Sequence, residues 1–307
     1  MTTDLRPIKK ILLATGLSTE SVGAVKQATA MATLFGAELH AAYVLEPVSA
    51  STERAIPGLA EKQEKHAREE LELFAKTHGL AGMAALHVLR GEPEAQLLAL
   101  RKDLDADLLV IGRYGRGGLK RGRLGSIADR VLRHCQVSTL VVDPDFRGSF
   151  AKVAIACDLD AEDPVELRRG LDLARSLGAG SVTLVHAYEI PHGYHTILTH
   201  EEAKERLERV WTESAEALIK RVRAEGDPEV TVRAAQGSPS TAVPRLVREI
   251  GADLLVLGTH FRVSKAAAVM LGRTSEKILN AVDCSVWSET CPSLHQGFLD
   301  AIKHLFD

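Results

Sequence analysis

The feature of this sequence that most constrains its fold is an internal repeat. Residues 106–112 read ADLLVIG and residues 252–258 read ADLLVLG, an offset of 146 positions. The same offset relates the GEP at residues 91–93 to the GSP at residues 237–239, and the strand that opens each half matches at an offset of 142. A drift of only four positions over most of each half indicates a duplicated domain. The length of 307 residues also suits two domains.

Each half alternates short apolar runs with helical patterns. In the first half, helices are expected from Ser18 to Phe35, from Glu61 to His78, after Gly91 and from Ser126 to Arg133, and a loop is expected around Pro47 and Pro57. Alternating strands and helices imply a parallel sheet with helices on both faces. The predicted fold class is therefore α/β, with two tandem domains, each a five-stranded parallel sheet. The predicted strands of the first half are Ile11–Thr15, Glu38–Leu45, Met83–Leu89, Leu108–Ile111 and Thr139–Val142.

Three segments follow from this pattern. The first domain is expected at residues 1–146 and the second at 150–290, with a short connector marked by Pro144 and Gly148. Residues 291–307 form a C-terminal segment in which apolar residues recur at i, i+3, i+4 and i+7, which predicts an amphipathic helix. We expect that helix to pack on its own domain; docking onto a partner is the alternative.

A glycine-rich stretch follows the fourth predicted strand. Gly112 ends the strand, Gly115 follows, and Gly125-Ser126 opens the next helix, with several arginines and lysines between them. A glycine loop that ends at a helix N-terminus favours an anion, because free N–H groups and the helix dipole point the same way. Phosphate is the expected anion, although the stretch contains neither a G-x-x-x-x-G-K-[ST] loop nor a G-x-G-x-x-G loop.

The spacing Gly112-x2-Gly115-x9-Gly125-Ser126 resembles the nucleotide-binding signature of universal stress proteins of the ATP-binding type, and the resemblance extends over nearly the whole chain up to Thr290. It implies a Rossmann-like fold of the adenine nucleotide alpha hydrolase-like type. It also implies a site for ATP or a related adenine nucleotide, with Mg²⁺ as an optional companion. The nucleotide-binding residues implied in the first domain are Ala14, Thr15, Val44, Ile111, Gly112, Arg113, Gly115, Arg116, Gly125, Ser126 and Ile127.

The two halves depart from the family pattern in opposite ways. The family carries an Asp after the first strand that contacts the adenosine; Gly16 stands there in the first half, whereas Asp158 fills the position in the second. In the second loop Phe261 replaces the second glycine, and one extra residue is present. We therefore expect about one nucleotide per chain, bound by the first half. The degenerate second site would comprise Asp158, Gly258, Gly272, Arg273 and Thr274.

Other features exclude some classes of function. The net charge is −3 and aromatic residues make up 4% of the chain, so nucleic acid is not expected as the main ligand. No apolar run is long enough for a membrane span and no secretory signal is visible, so a cytoplasmic location is expected. His186, Glu189, His192, His195 and His200 crowd one segment, but their spacing fits no standard zinc motif, and a solvated loop is the preferred interpretation.

The leading functional hypothesis is a nucleotide-binding stress-response sensor or regulator that acts on a protein partner the sequence does not identify. The alternatives are a slow ATP hydrolase or small-molecule enzyme that uses the interdomain cleft, and a mainly structural assembly module; no hydrolytic motif is visible. Family members pair the fifth strand with that of another domain. Here the partner would be residues 285–288 of the same chain, and a homodimer through fifth strands stays open because Trp287 and Ser288 make that copy poorer.

Overall fold

The computed structural model of the chain describes residues 7–115, 124–146, 148–157, 159, 164–190, 193, 195, 198–259 and 273–290. The chain divides between Gly148 and Ser149 into two compact units, which we name the N-terminal unit and the C-terminal unit. Each contains an α/β arrangement built on a parallel five-stranded sheet. None of the helices in the described ranges combines the length and the apolar character needed to cross a membrane.

The N-terminal unit has the strand order β3-β2-β1-β4-β5, with all of these strands parallel. This order reverses direction between β1 and β4, and in such sheets ligands bind at the carboxyl ends beside the reversal. Its strands are β1 (Lys10–Ala14), β2 (Glu38–Leu45), β3 (Ala84–Arg90), β4 (Leu108–Gly112) and β5 (Ser138–Val142). Its helices are α1 (Val22–Phe35), α2 (Ala50–Ala55), α3 (Leu59–Thr77), α4 (Pro93–Leu104) and α5 (Ser126–His134).

The C-terminal unit repeats this order as β8-β7-β6-β9-β10, again with parallel pairs. Its strands are β6 (Lys152–Ala156), β7 (Ser181–Tyr188), β8 (Val230–Gln236), β9 (Leu254–Thr259) and β10 (Ser285–Thr290). Its helices are α6 (Val165–Leu177), α7 (His200–Val222), α8 (Pro239–Ile250) and α9 (Arg273–Ala281).

A carboxylate clip at the start of the first strand shows the duplication in atomic detail. In the N-terminal unit, Asp107 Oδ2 accepts hydrogen bonds from the main-chain N–H groups of Lys9 and Lys10, at 2.8 and 3.0 Å. In the C-terminal unit, Asp253 Oδ2 accepts from Ala151 and Lys152, at 3.1 and 2.9 Å. Both aspartates belong to the repeated ADLLV motif, so that motif supplies a buried strand and also fixes the strand beside it.

Most predicted elements of the first half are present, with ends shifted by one or two residues. Gly36 ends α1 in a left-handed conformation (φ 62°), as expected of a glycine C-cap. The first turn before α1 is different: Thr19–Ser21 is a 3₁₀ turn, and the α-helix begins only at Val22. The loop predicted around Pro47 and Pro57 contains the short helix α2, whose N-cap Ser49 accepts a hydrogen bond from the Thr52 N–H.

A buried ionic cluster ties α6 to the segment that follows α7 in the C-terminal unit. The side chain of Asp227 is 0% exposed and lies within 2.8 Å of both Arg168 and Arg175 on α6. Asp227 also accepts a 2.8 Å hydrogen bond from the Ala224 N–H just after α7. Burial by itself raises the pKa of Asp227, but the hydrogen bonds from Arg168 and Ala224 and the two arginine charges outweigh it and lower that pKa overall.

Candidate functional site

A cavity of about 540 Å³ opens at the carboxyl ends of the strands of the N-terminal unit. Its walls come from the ends of β1, β2 and β4, from the start of α5 and from one face of α3. The volume lies within the range of small-ligand sites. Every signature residue of the first domain that the structure describes lines it, namely Ala14, Thr15, Val44, Ile111, Gly112, Arg113, Gly115, Gly125, Ser126 and Ile127; Arg116 lies outside the described residues.

One end of the cavity is formed by the N-terminus of α5. Gly125 is its N-cap, and Ser126, Ile127 and Ala128 follow as cavity-lining residues of the first turn. The N–H groups in the first turn of an α-helix have no partner within the helix, and the dipole adds partial positive charge there. This end of the cavity therefore suits an anionic group.

Gly125 closes the base of the glycine loop. Its N–H donates to the main-chain oxygen of Arg113 at 2.8 Å, and the Arg113 N–H donates to Val142 on β5 at 2.9 Å. A Cβ atom at residue 125 would lie only 3.2 Å from the Arg113 oxygen and 3.4 Å from the Gly115 nitrogen. Because these are main-chain atoms, a side chain at Gly125 would push the two sides of the loop base apart.

Gly115 does not have the strained backbone that a glycine-only position would have. Its φ is not positive, and a Cβ atom there would have no heavy atom of the described residues within 4 Å. The described part of the chain therefore does not demand glycine at this position. A need for glycine at residue 115 would have to come from a ligand that approaches its backbone.

The guanidinium of Arg113 is directed to a carboxylate. Arg113 is 1% exposed, and its Nε lies 3.3 Å from Oδ2 of Asp143, which follows β5. The ion pair fastens the start of the glycine loop to the end of the neighbouring strand. Sequence reasoning singled out Arg113 but missed Asp143, because the pair depends on β4 and β5 being neighbours.

The turn after β1 forms the middle of the cavity floor. The Gly16 N–H donates to Ser21 Oγ at 3.1 Å, and the Leu17 N–H donates to Thr15 Oγ1 at 3.2 Å. Leu17 takes a left-handed φ of 54°, which is uncommon for a leucine. A Cβ atom at Gly16 would meet only the hydroxyls of Ser21 and Ser18, at 3.6 and 3.9 Å, which is ordinary contact.

The far wall of the cavity is a polar face of α3. Gln63, His66, Ala67 and Glu70 line it, and Glu46 at the end of β2 lies beside them. His66 Nε2 lies 3.5 Å from Glu70 Oε1. The charge run of α3 is typical of a solvent-exposed face, and its sequence alone does not indicate that one edge of that face also borders a cavity.

The C-terminal unit presents a different strand end. The sheet register makes His186 on β7 the counterpart of Tyr43 on β2, which lines the cavity. Each follows the residue that pairs with the last residue of the first strand, in the pairs Ala14–Ala42 and Ala156–Val185. The ring of Trp211 on α7 packs on that of His186, with centroids 4.8 Å apart. Sequence reasoning missed Trp211, which packs at this strand end of the second copy. The corresponding strand end of the first copy borders the cavity.

Only part of the predicted second site can be placed. Gly258 lies in β9, and Arg273 and Thr274 open α9, where Ser275 Oγ donates to the Gly258 oxygen at 3.4 Å. Asp158, Phe261 and Gly272 lie outside the described residues. Within the described ranges, no group of three or more His, Cys, Asp or Glu side chains could hold a metal ion; His192 of the histidine-rich segment is not among them.

Comparison with known proteins agrees with this duplicated architecture. The model of the universal stress protein family matches residues 7–143 and, a second time, residues 149–288. The chain belongs to the universal stress protein family. This universal stress protein is 32% identical over 141 residues to universal stress protein MJ0531 of Methanocaldococcus jannaschii, a match that covers 44% of the chain and 81% of that relative. It is 26% identical over 166 residues to the universal stress protein E homolog of Haemophilus influenzae, which covers 51% of the chain and 53% of that relative.

Solved structures share the tandem fold of this universal stress protein. A universal stress protein from Archaeoglobus fulgidus superposes with a TM-score of 0.64 at 19% identity, over 92% of this chain and 98% of that chain. PA1789 from Pseudomonas aeruginosa, described as functionally unknown, superposes with the same TM-score at 16% identity, over 97% of this chain and 98% of that chain. At these identities the likeness concerns the fold.

Proposed function

We propose that this universal stress protein binds one adenine nucleotide per chain, in the cavity of the N-terminal unit, and acts through that occupancy as a stress-response sensor or regulator. ATP, with Mg²⁺ carried on its phosphates, is the expected ligand. The observation that carries the proposal is that residues far apart in the sequence line one cavity. Ala14, Val44, Gly112 and Ser126 all border the same space.

The residues present fit the phosphate part of such a ligand. Gly125 lines the cavity without a side chain, so its main chain is accessible to an incoming group. A Cβ atom at this residue would crowd main-chain atoms of the loop base. The first turn of α5 supplies N–H donors and the positive end of a dipole. Phosphate binding in this proposal rests on main-chain groups, since the Arg113 side chain is directed to Asp143.

The C-terminal unit is not expected to bind a second nucleotide. Trp211 packs on His186 at the strand end that corresponds to the cavity-lining Tyr43. An aromatic ring in that position occupies volume that a base would need. Two further predictions belong with this proposal. Two chains pair through their fifth strands, and a protein partner recognises the chain when nucleotide is bound.

The test is a calorimetric titration of the full chain with ATP and Mg²⁺. We expect a stoichiometry near one, and we expect Gly125→Val to weaken binding at least tenfold, because the added side chain displaces the loop base. Gly180→Ala is the matched control, since a Cβ atom at residue 180 meets its nearest heavy atom at 3.7 Å. A stoichiometry near two, or unchanged affinity in Gly125→Val, would overturn the proposal.

A further inference from the structure

The cavity has two chemically different ends. The end at α5 offers N–H donors, whereas the wall at α3 and the end of β2 offers acceptors: the carboxylates of Glu46 and Glu70 and the amide of Gln63. Within the described part of the chain, the side chains of Glu46 and Gln63 have no hydrogen-bonded or ion-paired partner. A ligand that fills the cavity is therefore expected to be anionic at one end and rich in hydrogen-bond donors at the other.

The sheet sets the distance between these ends. The α5 end follows β4 and the α3 wall follows β2, and β1 lies between those two strands. Neighbouring strands are spaced by about 4.8 Å, so the ends of β2 and β4 lie about 10 Å apart across the end of β1. That separation suits a molecule with a phosphate at one end and a nucleoside at the other.

The middle of the floor does not supply the carboxylate that the family pattern places after the first strand. Gly16 stands there and contributes only main-chain groups, with its N–H donated to Ser21 Oγ. The cavity does have carboxylates elsewhere in its lining, at Glu46 after β2 and at Glu70 on α3. Glu70 has His66 one helical turn before it, with His66 Nε2 3.5 Å from Glu70 Oε1.

We propose that Glu70, which lies beside His66 in the α3 wall, is the group that recognises the nucleoside end of the ligand by accepting hydrogen bonds from its donors. These donors are the ribose hydroxyls or an exocyclic amine of the base. Glu70 thus replaces the carboxylate missing at residue 16 with one from a different element. This assignment rests on the proposed nucleotide function of the cavity and adds a specificity-determining residue to it.

The attachment of α3 supports a recognition role for this wall. Glu53 of α2 accepts hydrogen bonds from the N–H groups of Gly58 and Ala60, at 2.7 and 3.0 Å, and so caps the start of α3. Arg90 at the end of β3 donates to the Ala60 oxygen and lies 3.6 Å from Glu64. The first turn of α3 is therefore held from two sides, and the residues that line the cavity begin in the next turn, at Gln63.

The experiment compares Glu70→Ala with Glu69→Ala in the full chain. Residue 69 is the adjacent exposed glutamate of α3 and does not line the cavity, and alanine is the best helix former, so both variants are expected to keep the wild-type melting temperature. Calorimetry with ATP should show affinity reduced at least tenfold in Glu70→Ala and unchanged in Glu69→Ala.

Ligand analogues identify the donor. The wild-type chain is titrated with 2′-deoxy-ATP and 3′-deoxy-ATP, which lack one ribose hydroxyl, and with ITP, which lacks the exocyclic amine. The analogue that loses affinity in the wild type should bind Glu70→Ala as well as ATP does. Tight ATP binding that Glu70→Ala leaves unchanged would overturn this inference alone, whereas absence of nucleotide binding in the wild type would overturn the proposed function with it.

Discussion

Gly16 and Gly125 illustrate two different reasons for a glycine in one site. A side chain at Gly125 would press on main-chain atoms of the loop base, so a substitution there requires those atoms to shift by a few tenths of an ångström. A side chain at Gly16 would meet only two serine hydroxyls at ordinary contact distance, so that position is open. Packing therefore does not require a glycine at residue 16. The absence of an aspartate there changes which hydrogen-bonding groups the cavity offers to a ligand.

This contrast predicts that Gly16→Asp strengthens nucleotide binding. The new carboxylate would lie in the cavity floor and accept hydrogen bonds from the nucleoside, and a bond to a charged acceptor contributes about 1.5–3 kcal/mol, or roughly tenfold or more in affinity. Calorimetry with ATP measures the effect, and Gly16→Ala is the control for the side-chain volume alone. Equal affinities in Gly16→Asp and Gly16→Ala would contradict the prediction.

At the scale of single elements, carboxylates fasten neighbouring segments. The Asp107 and Asp253 clips hold the first strand of each unit, and Asp227 joins α6 to the segment that follows α7. A buried, paired carboxylate such as Asp227 stabilises only while it is ionised, so it makes stability depend on pH. Asp227 is the most buried of these, with a 0% exposed side chain.

Stability of the C-terminal unit should therefore fall in acid. The folded-state pKa of Asp227 lies below its unfolded value of about 3.9, so its contribution is complete above about pH 5 and is lost as the pH falls through the folded pKa. Asp227→Asn should cost about 1–3 kcal/mol at pH 7, because hydrogen bonds to a charged acceptor are lost while both arginines keep Asp172 as a partner. Urea unfolding followed by tryptophan emission measures this, since both tryptophans lie after residue 149.

Asp172→Asn is the comparison for that experiment. Asp172 contacts the same arginines, but its side chain is 29% exposed, so its loss should cost less than about 1 kcal/mol. Equal losses in the two variants would show that burial of Asp227 is not what makes the cluster stabilising.

Sequence patterns predicted these elements well where one segment carries its own signal. Continuous apolar runs such as Leu108–Ile111 indicate buried strands, and Gly36 marks a helix end. The sequence could not indicate the partners that tertiary packing creates: Asp143 for Arg113, or Asp227 for Arg168, 30 and 59 positions apart. The α3 wall was missed for a related reason, because the pattern of a helix separates its core face from its polar face but does not show which polar residues border a cavity.

At the scale of the whole molecule, the two units share a fold but differ at the ends of their strands. The N-terminal unit has a cavity beside Tyr43, whereas Trp211 packs on His186 at the corresponding strand end of the C-terminal unit. Both copies thus keep the sheet and its aspartate clips, whereas the carboxyl ends of their strands have diverged.

Hydrogen exchange should map this asymmetry. Saturating ATP is expected to slow amide exchange in peptides that contain residues 112–115 and 124–128 of the N-terminal unit, because their main chain borders the cavity. Peptides from β9 and the start of α9 serve as internal controls in the same sample and should exchange at unchanged rates. Comparable protection of both sets would contradict a single site.

The hydrogen bond from the Gly125 N–H to the Arg113 oxygen has an evolutionary consequence. It joins the two ends of the glycine loop, so this link between the sheet and α5 does not itself involve the residues that lie between them. Changes in length inside such a closed segment cost little conformational entropy. The second copy has one residue more between its corresponding glycines, Gly258 and Gly272, than the first has between Gly112 and Gly125. A gene duplication can therefore yield a ligand-binding copy and a non-binding copy that fold equally well, and selection can act on the loop without a penalty in foldability.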